Sequence, residues 1–236
     1  MFTVALIGPD GAGKSTIVRR LENSFPLPVK CLYMGINPDS SNVLLPTSRF
    51  IEWMKRARPN SVGSKPEVQL GAGNQLGGKR KESGRLWATL RLLNRVAEEW
   101  YRQVLSWIHQ RRGRIVIYDR HYRFDFEYSP RDADGKPRRF TDWFHRWCLA
   151  KLYPRPHLVI YLDAPPEVLL SRKHEGTLES LEIRRQSFLR QGRGTPNFFV
   201  VDATLPLDEV YAQVARHIHR FHETGHPPKR IFSEQM

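Results

Sequence analysis

Short apolar runs alternate along the whole 236-residue chain with longer segments in which apolar residues recur at helical spacing. Runs of this length, each followed by a glycine or an aspartate, are typical of strands buried in a parallel sheet. The pattern predicts strands over 2–7, 29–34, 114–118, 157–162 and 197–201. It predicts helices over 14–24, 48–55, 86–110, 142–152, 178–191 and 207–221, with one more opening at Pro165-Pro166.

Because strands and helices alternate from end to end, we expect an α/β fold in three layers, with a parallel five-stranded sheet and helices on both faces. Ligands bind such sheets beyond the carboxyl ends of the strands, where Gly8, Asp119, Asp163 and Asp202 fall. The longest helix carries one apolar stripe, formed by Leu86, Leu90, Leu93, Ala97, Tyr101, Val104 and Ile108. We expect a single domain over 1–225 and a loose tail over 226–236.

The composition fits a globular protein, with 40% apolar and 26% charged residues. No apolar run approaches the roughly 20 residues that a transmembrane helix needs, and the apolar start at Phe2 to Ile7 lacks the basic flank of a signal peptide. Two cysteines, Cys31 and Cys148, cannot form a disulfide framework. These features predict a cytoplasmic protein without a transmembrane segment.

The charge is strongly positive and unevenly distributed. The net charge is +14, and residues 55–95 alone hold ten basic and two acidic residues. Within that stretch, residues 58–85 contain six glycines and predict a mobile basic loop. Such a surface attracts phosphorylated molecules, nucleic acid or an acidic membrane, and a basic surface that only maintains solubility is the alternative.

The segment from Gly8 to Ser15, GPDGAGKS, matches the pattern G-x-x-x-x-G-K-[ST] without a mismatch. It lies between a predicted strand and a predicted helix, where backbone N–H groups can surround phosphate oxygens. Lys14 is expected to reach the β- and γ-phosphates, and Ser15 to hold Mg²⁺. The sequence therefore predicts a site for ATP and Mg²⁺ formed by Gly8, Pro9, Asp10, Gly11, Ala12, Gly13, Lys14, Ser15 and Thr16.

A second motif, Asp119-Arg120-His121, follows the third predicted strand. A strand-end aspartate in a P-loop protein is placed to hold the metal together with Ser15. Arg120 could meet an anionic acceptor in the same cleft, although an aspartate paired with a neighbouring base would leave the same pattern. We interpret Asp119 as a metal ligand that orients the metal's water or the acceptor, and Arg120 as an acceptor-binding residue. Together with Lys14, both are candidate catalytic residues.

Arginines are concentrated between residues 172 and 193, which we interpret as a lid region. Arginines that close over a transferring phosphoryl group can stabilise the charge on its oxygens. An ordinary solvated helix face with Glu–Arg pairs has the same spacing and remains an alternative. The candidate catalytic residues of the lid are Arg172, Arg184 and Arg185.

Three motifs in this order resemble the thymidylate kinase-like branch of the P-loop nucleotide kinases. They are the loop Gly8 to Thr16 with Asp10 inside it, Asp119-Arg120-His121, and the stretch LDAPPEV at 162–168. The resemblance covers roughly 1–35 and 86–222, and it implies a P-loop kinase in which Asp10 contacts the acceptor sugar and Arg120 the acceptor phosphate. Because Ala12 stands where one branch has an arginine, it also implies that lid arginines supply the catalytic charge.

These observations predict an ATP-dependent phosphotransferase whose acceptor is a small phosphorylated molecule, a nucleoside monophosphate such as dTMP. Residues 36–85 depart from the usual acceptor region, so a kinase for a sugar, a lipid or a nucleic-acid end stays open as an alternative. A nucleotide-dependent module that binds nucleic acid or another polyanion is a further alternative, although the sequence contains no recognisable RNA-binding motif. The oligomeric state is left open, with a homodimer as one option.

Overall fold

The computed structural model describes residues 1–35, 81–127, 145, 147–148, 151, 153–174 and 176–225. The predicted helix over 48–55, most of the predicted basic loop over 58–85 and the tail over 226–236 lie outside these residues. Of the predicted helix over 142–152, the described residues 145, 147–148 and 151 are helical.

The core of the fold is a sheet of five parallel strands in the order β2-β3-β1-β4-β5. The expected α/β fold with a parallel five-stranded sheet is therefore confirmed, and each strand lies within one residue of its predicted bounds. Such sheets need apolar residues on both faces, and β1 is buried at every position. The strands are β1 (Thr3–Ile7), β2 (Val29–Tyr33), β3 (Ile115–Asp119), β4 (Leu158–Asp163) and β5 (Phe198–Asp202).

The described helices are α1 (Lys14–Ser24), α2 (Lys81–Arg111), α3 (Tyr122–Glu127), α4 (Pro166–Lys173), α5 (Leu178–Arg193) and α6 (Leu207–Thr224). Two of them differ from the prediction. The prediction of a loop as far as residue 85 was wrong at its end, because α2 already begins at Lys81: one glycine at position 84 costs a helix only about 1 kcal/mol. Helix α3 was not predicted, since six residues are too few for a helical period to be recognised.

Helices cover both faces of the sheet, as expected. On one face, α1 and α6 pack their apolar sides against alternate residues of the strands, including Val4, Leu6 and Ile160. On the other face, Ser106 of α2 hydrogen-bonds the Tyr118 hydroxyl at 2.7 Å, and Phe188 of α5 packs its ring 5.4 Å from that of Tyr161. The alternation of side chains along each strand supplies both layers.

The chain divides into two units, one comprising Met1–Val43 and Arg102–Met236 and the other Leu44–Tyr101. All five strands belong to the first unit. In the second unit the structure describes residues 81–101, which are helical. The single domain over 1–225 remains a prediction. None of the described helices has the length and apolar character needed to cross a membrane.

Candidate active site

The candidate site lies where β1 and β3 end side by side. These strands are neighbours, and Leu6 of β1 is in register with Asp119 at the end of β3. The phosphate loop continues directly from β1, so the loop and Asp119 meet at the same edge of the sheet. The Ser15 hydroxyl at the start of α1 donates a hydrogen bond of 2.9 Å to Asp119 Oδ2.

Asp119 and Ser15 offer oxygen atoms suited to a divalent cation. While Asp119 Oδ2 accepts from Ser15, Asp119 Oδ1 is buried and has no hydrogen-bond partner among the described residues. A buried carboxylate oxygen without a partner is costly, and a hard cation such as Mg²⁺ binds through oxygen ligands. The two residues predicted to hold Mg²⁺ therefore lie together, and their donor atoms fit that ion.

Two glycines give the phosphate loop its shape. Gly11 has a φ of 89°, and a Cβ there would lie 2.9 Å from the Leu169 carbonyl oxygen of α4. Gly13 has a φ of 83°, caps α1 and would place a Cβ in open space. The left-handed conformation favours glycine at both positions. The space beside Gly13 and the N–H groups that open α1 form a cradle that suits phosphate.

Lys14 is held inside the curve of this loop. The side chain is buried, and its Nζ donates a hydrogen bond of 2.6 Å to the carbonyl oxygen of Pro9. This hydrogen bond keeps the Lys14 ammonium group beside the backbone of the phosphate loop. That location suits contact with the β- and γ-phosphates of a nucleotide.

Asp10 lies at the centre of a group of positive charges. Its carboxylate forms ion pairs with Arg120 through Oδ1 and, at 3.0 Å, with Arg184 through Oδ2. Burial alone would raise the pKa of Asp10, but the positive charges of Lys14, Arg120, Arg184 and Lys173 outweigh that effect and lower it to about 2. Asp10 is therefore a carboxylate, and it brings two arginines to the phosphate loop.

Arg120 has an unusual backbone conformation. Its φ is 68°, in the left-handed region, while its N–H donates to the Leu6 carbonyl oxygen at 3.1 Å. For a residue other than glycine this conformation costs of order 1–3 kcal/mol, and such residues are concentrated at functional sites. The turn directs the Arg120 side chain back across the end of β1 to Asp10.

The three lid arginines have different partners. Arg184 pairs with Asp10, whereas the next residue, Arg185, donates two hydrogen bonds, of 2.7 and 2.8 Å, to Asp163 at the end of β4. This hydrogen bonding raises the pKa of Arg185. Arg172 donates to the Ala203 carbonyl oxygen at 2.9 Å. The structure thus brings Arg184 to the phosphate loop, while Arg172 and Arg185 contact other parts of the fold.

Comparison with known proteins shows similarity to thymidylate kinases. No family model matches the chain. Over 117 residues, 46% of this chain and 55% of its relative, the chain is 34% identical to a probable thymidylate kinase of Archaeoglobus fulgidus. Over 67 residues, 25% of this chain and 33% of its relative, it is 33% identical to a thymidylate kinase of Thermosipho africanus.

The chain resembles thymidylate kinases over part of its length. It spans about a third to about half the length of these curated relatives. The five-stranded parallel sheet, with the loop at the end of β1, agrees with the P-loop fold expected from that resemblance.

Sequence reasoning missed two residues near this site. Lys173 ends α4, and its charge contributes to the lowered pKa of Asp10. The sequence indicated this residue only through its position in the basic segment 172–174. Arg102 is buried on α2 and donates a hydrogen bond of 3.2 Å to the Gly35 carbonyl oxygen. Its signal was weak, because an arginine beside an apolar stripe is usually exposed.

Proposed function

We propose that this chain is a kinase that transfers the γ-phosphoryl group of ATP to a nucleoside monophosphate, with dTMP as the first acceptor to test. One observation carries the proposal: Arg120 and Arg184, from distant parts of the sequence, both pair with Asp10 inside the phosphate loop. Two cationic groups beside a phosphate cradle suit a reaction between two phosphorylated substrates. The names of the two relatives make thymidylate the natural first candidate.

The donor side uses the phosphate loop. Its N–H groups and Lys14 bind the β- and γ-phosphates, and Ser15 and Asp119 hold Mg²⁺. When bound, that ion supplies positive charge that neutralises phosphate oxygens. The contribution of the chain is to fix these groups beforehand, and the hydrogen bond between Ser15 and Asp119 already holds the two metal-binding side chains together.

The acceptor side uses Asp10 and Arg120. Asp10 is ionised at neutral pH, as an aspartate is even without neighbouring positive charges, and it can accept a hydrogen bond from a sugar hydroxyl. Arg120 binds the acceptor phosphate, so that Arg120 exchanges its ion pair with Asp10 for an ion pair with the substrate. The attacking phosphate oxygen already carries negative charge, so the reaction needs no strong general base.

Arg184 supplies charge between the two substrates. Released from Asp10 when an acceptor hydroxyl takes its place, Arg184 can contact the oxygens of the transferring group. Arg172 and Arg185 act differently in this proposal, by tying α4 to the Ala203 carbonyl and α5 to Asp163. The arginine segment then keeps water from the reacting atoms when it lies over the loop.

An acceptor screen tests the proposed function. Purified protein is incubated with ATP, Mg²⁺ and each nucleoside monophosphate in turn, and ADP formation is followed, with the Lys14→Met variant as the matched control. We expect ADP to form in the presence of at least one monophosphate and to be lost in the variant. The proposal is overturned if no monophosphate supports turnover. Turnover with a sugar, a lipid or a nucleic-acid end would then favour another kinase, and salt-sensitive polyanion binding without turnover would favour a binding module.

A further inference from the structure

Arg102 is a buried charge that takes no part in the proposed reaction. It lies on α2 and is 4% exposed, and its NH1 donates to the Gly35 carbonyl oxygen at 3.2 Å. Removing a guanidinium from water is costly unless hydrogen bonds compensate for the lost hydration. An apolar residue could fill the same space without that cost, so the hydrogen bond to Gly35 calls for a specific role.

Gly35 lies next to the acceptor side of the site. It follows β2, and the residue before it, Met34, donates its N–H to the Asp119 carbonyl oxygen at 3.1 Å. A Cβ on Gly35 would lie 2.9 Å from Arg120 Cδ and would overlap the ring of Tyr33. The backbone of Gly35 is therefore in close contact with the stem of the Arg120 side chain.

These contacts join Arg102 to Arg120 through one short piece of backbone. Arg102 fixes the Gly35 carbonyl, Met34 ties the same turn to the end of β3, and Gly35 supports the Arg120 stem from the side. Arg120 pairs with Asp10 across the end of β1. Since the Arg120 backbone has a left-handed φ of 68°, the direction of its side chain depends on support from its neighbours.

We propose that Arg102 is a positioning residue for Arg120: through the Gly35 carbonyl it holds the turn after β2 against the Arg120 side chain, so that the Arg120 guanidinium faces the acceptor site. The part of this inference that concerns an acceptor rests on the proposed kinase function. Arg102 itself touches no substrate in this arrangement. Its effect is to reduce the freedom that Arg120 loses when an acceptor phosphate binds.

Kinetics with three variants test the inference. Arg102→Met removes the donor but keeps much of the apolar stem, and Arg102→Lys keeps a charge and a donor. Gly35→Ala places a methyl group against Arg120 Cδ and Tyr33, so it tests the contact between Gly35 and Arg120 directly. We expect Arg102→Met and Gly35→Ala to raise the KM for the acceptor about 10- to 100-fold with little change in ATP affinity. Arg102→Lys should restore part of the loss. If Arg102→Met does not fold, Arg102→Lys decides by the same measurements, with an unchanged acceptor KM in the folded variant overturning the inference.

Ser106→Ala provides the matched control. Ser106 lies one helical turn further along α2, is fully buried and loses its hydrogen bond to the Tyr118 hydroxyl in this variant. If Arg102 has only a structural role, Arg102→Met and Ser106→Ala should both lower the melting temperature, and they should either leave the acceptor KM unchanged or change it equally. Either result overturns the inference. A rise in KM confined to the Arg102 and Gly35 variants supports it.

A substrate-free measurement separates this inference from the proposed function. The side-chain ¹⁵N signals of Arg120, assigned by their loss in Arg120→Lys, report whether the guanidinium stays paired with Asp10. We expect Arg102→Met and Gly35→Ala to weaken that pairing and broaden or shift the signals, while Ser106→Ala leaves them unchanged. If the wild-type protein phosphorylates no acceptor, the kinase proposal fails and these spectra decide the role of Arg102. Unchanged Arg120 signals in both variants overturn it.

Discussion

The phosphate loop and the arginine segment over 172–193 are both rich in candidate chemistry, but they are fixed in different ways. The loop is shaped by its backbone, with left-handed glycines at positions 11 and 13 and a lysine folded onto its own carbonyl. In the arginine segment the position of each charge depends on the partner that a long side chain finds. Arg184 and Arg185 are adjacent in sequence, yet one pairs with Asp10 and the other with Asp163.

This difference implies a division of roles. We propose that loop residues act through a geometry that the local sequence dictates, so that each position has a defined chemical task. In the arginine segment we propose that Arg184 serves the reaction and that Arg172 and Arg185 hold helices in place, a difference that only their partners indicate.

The largest effect is expected at Lys14. Replacing it with Met removes the charge held in the mouth of the loop, and we expect phosphoryl transfer to fall about 1,000-fold or more. Steady-state kinetics measure the loss, and circular dichroism checks that the fold is retained. Lys30→Met is a suitable control, because Lys30 lies outside the loop and its Nζ forms an ion pair of 2.7 Å with Glu22 Oε1. Wild-type rates in folded Lys14→Met protein would refute the role of the loop.

The next effect separates Arg184 from the other lid arginines. In Arg184→Ala the charge beside the loop is lost, and we expect kcat to fall about 100- to 1,000-fold while ATP affinity stays nearly constant. That pattern identifies an interaction made mainly in the transition state. Measurement of kcat together with the dissociation constant of ATP distinguishes it from a general loss of binding. A normal kcat in this variant would place Arg184 among the structural arginines.

Arg185→Ala is the matched counterpart one residue away. It leaves Asp163 without its two guanidinium hydrogen bonds, and hydrogen bonds to charged groups are worth about 1.5–3 kcal/mol. We therefore expect a lower free energy of unfolding and a nearly normal kcat for the protein that remains folded. Denaturant unfolding and active-site titration separate the two quantities. A strong fall in kcat without a loss of stability would instead make Arg185 a catalytic residue.

The sequence predicted much of the fold because its signals are local. Short apolar runs with glycine or aspartate stops located all five strands, and the alternation with helices implied the parallel sheet. The loop motif likewise predicted that Ser15 and Asp119 come together, since neighbouring parallel strands end at one edge. In each case the information lies within a few residues or follows from a general rule of sheet topology.

The buried face of α2 could not be predicted in this way. Of the apolar stripe, Val104 and Ile108 are 42% and 37% exposed, whereas Arg102 and Ser106 are buried. Their side chains hydrogen-bond to residues outside the helix, Gly35 being 67 residues from Arg102 and Tyr118 being 12 residues from Ser106. Apolar periodicity contains no information about such partners. The same reason explains why the sequence could not divide the roles of the lid arginines.

Arg120→Ala is expected to have a smaller effect that is specific to the acceptor. Loss of a charge-assisted hydrogen bond costs about 1.5–3 kcal/mol, so acceptor affinity should fall about 10- to 150-fold. ATP affinity should change much less, because the donor phosphates are held by the loop. Separate binding measurements with a nucleoside monophosphate and with ATP test this. An equal loss for both substrates would mean that Arg120 supports the loop, and the division between loop and arginines would need revision at this residue.

The smallest effect concerns His121, which follows Arg120 in the same turn. The surroundings of its ring explain why its pKa is low. Its ring is 2% exposed and lies 5.0–5.9 Å from the rings of Tyr118, Tyr122 and Phe124. Burial, together with the charge of Arg123, lowers the pKa of His121 to about 3.

Below pH 6.5 the unfolded chain therefore binds a proton at His121 that the folded protein does not take up until about pH 3. The free energy of unfolding should fall as pH drops through this window, and His121 should account for about 2 kcal/mol of that loss at pH 5. In His121→Phe the decline between pH 7 and pH 5 should be smaller by that amount. Denaturant unfolding without nucleotide or metal measures it, with the exposed His219→Gln as control. Equal pH slopes for His121→Phe and wild type would show that the turn after β3 opens enough to hydrate His121, which would weaken the case for a rigid Arg120.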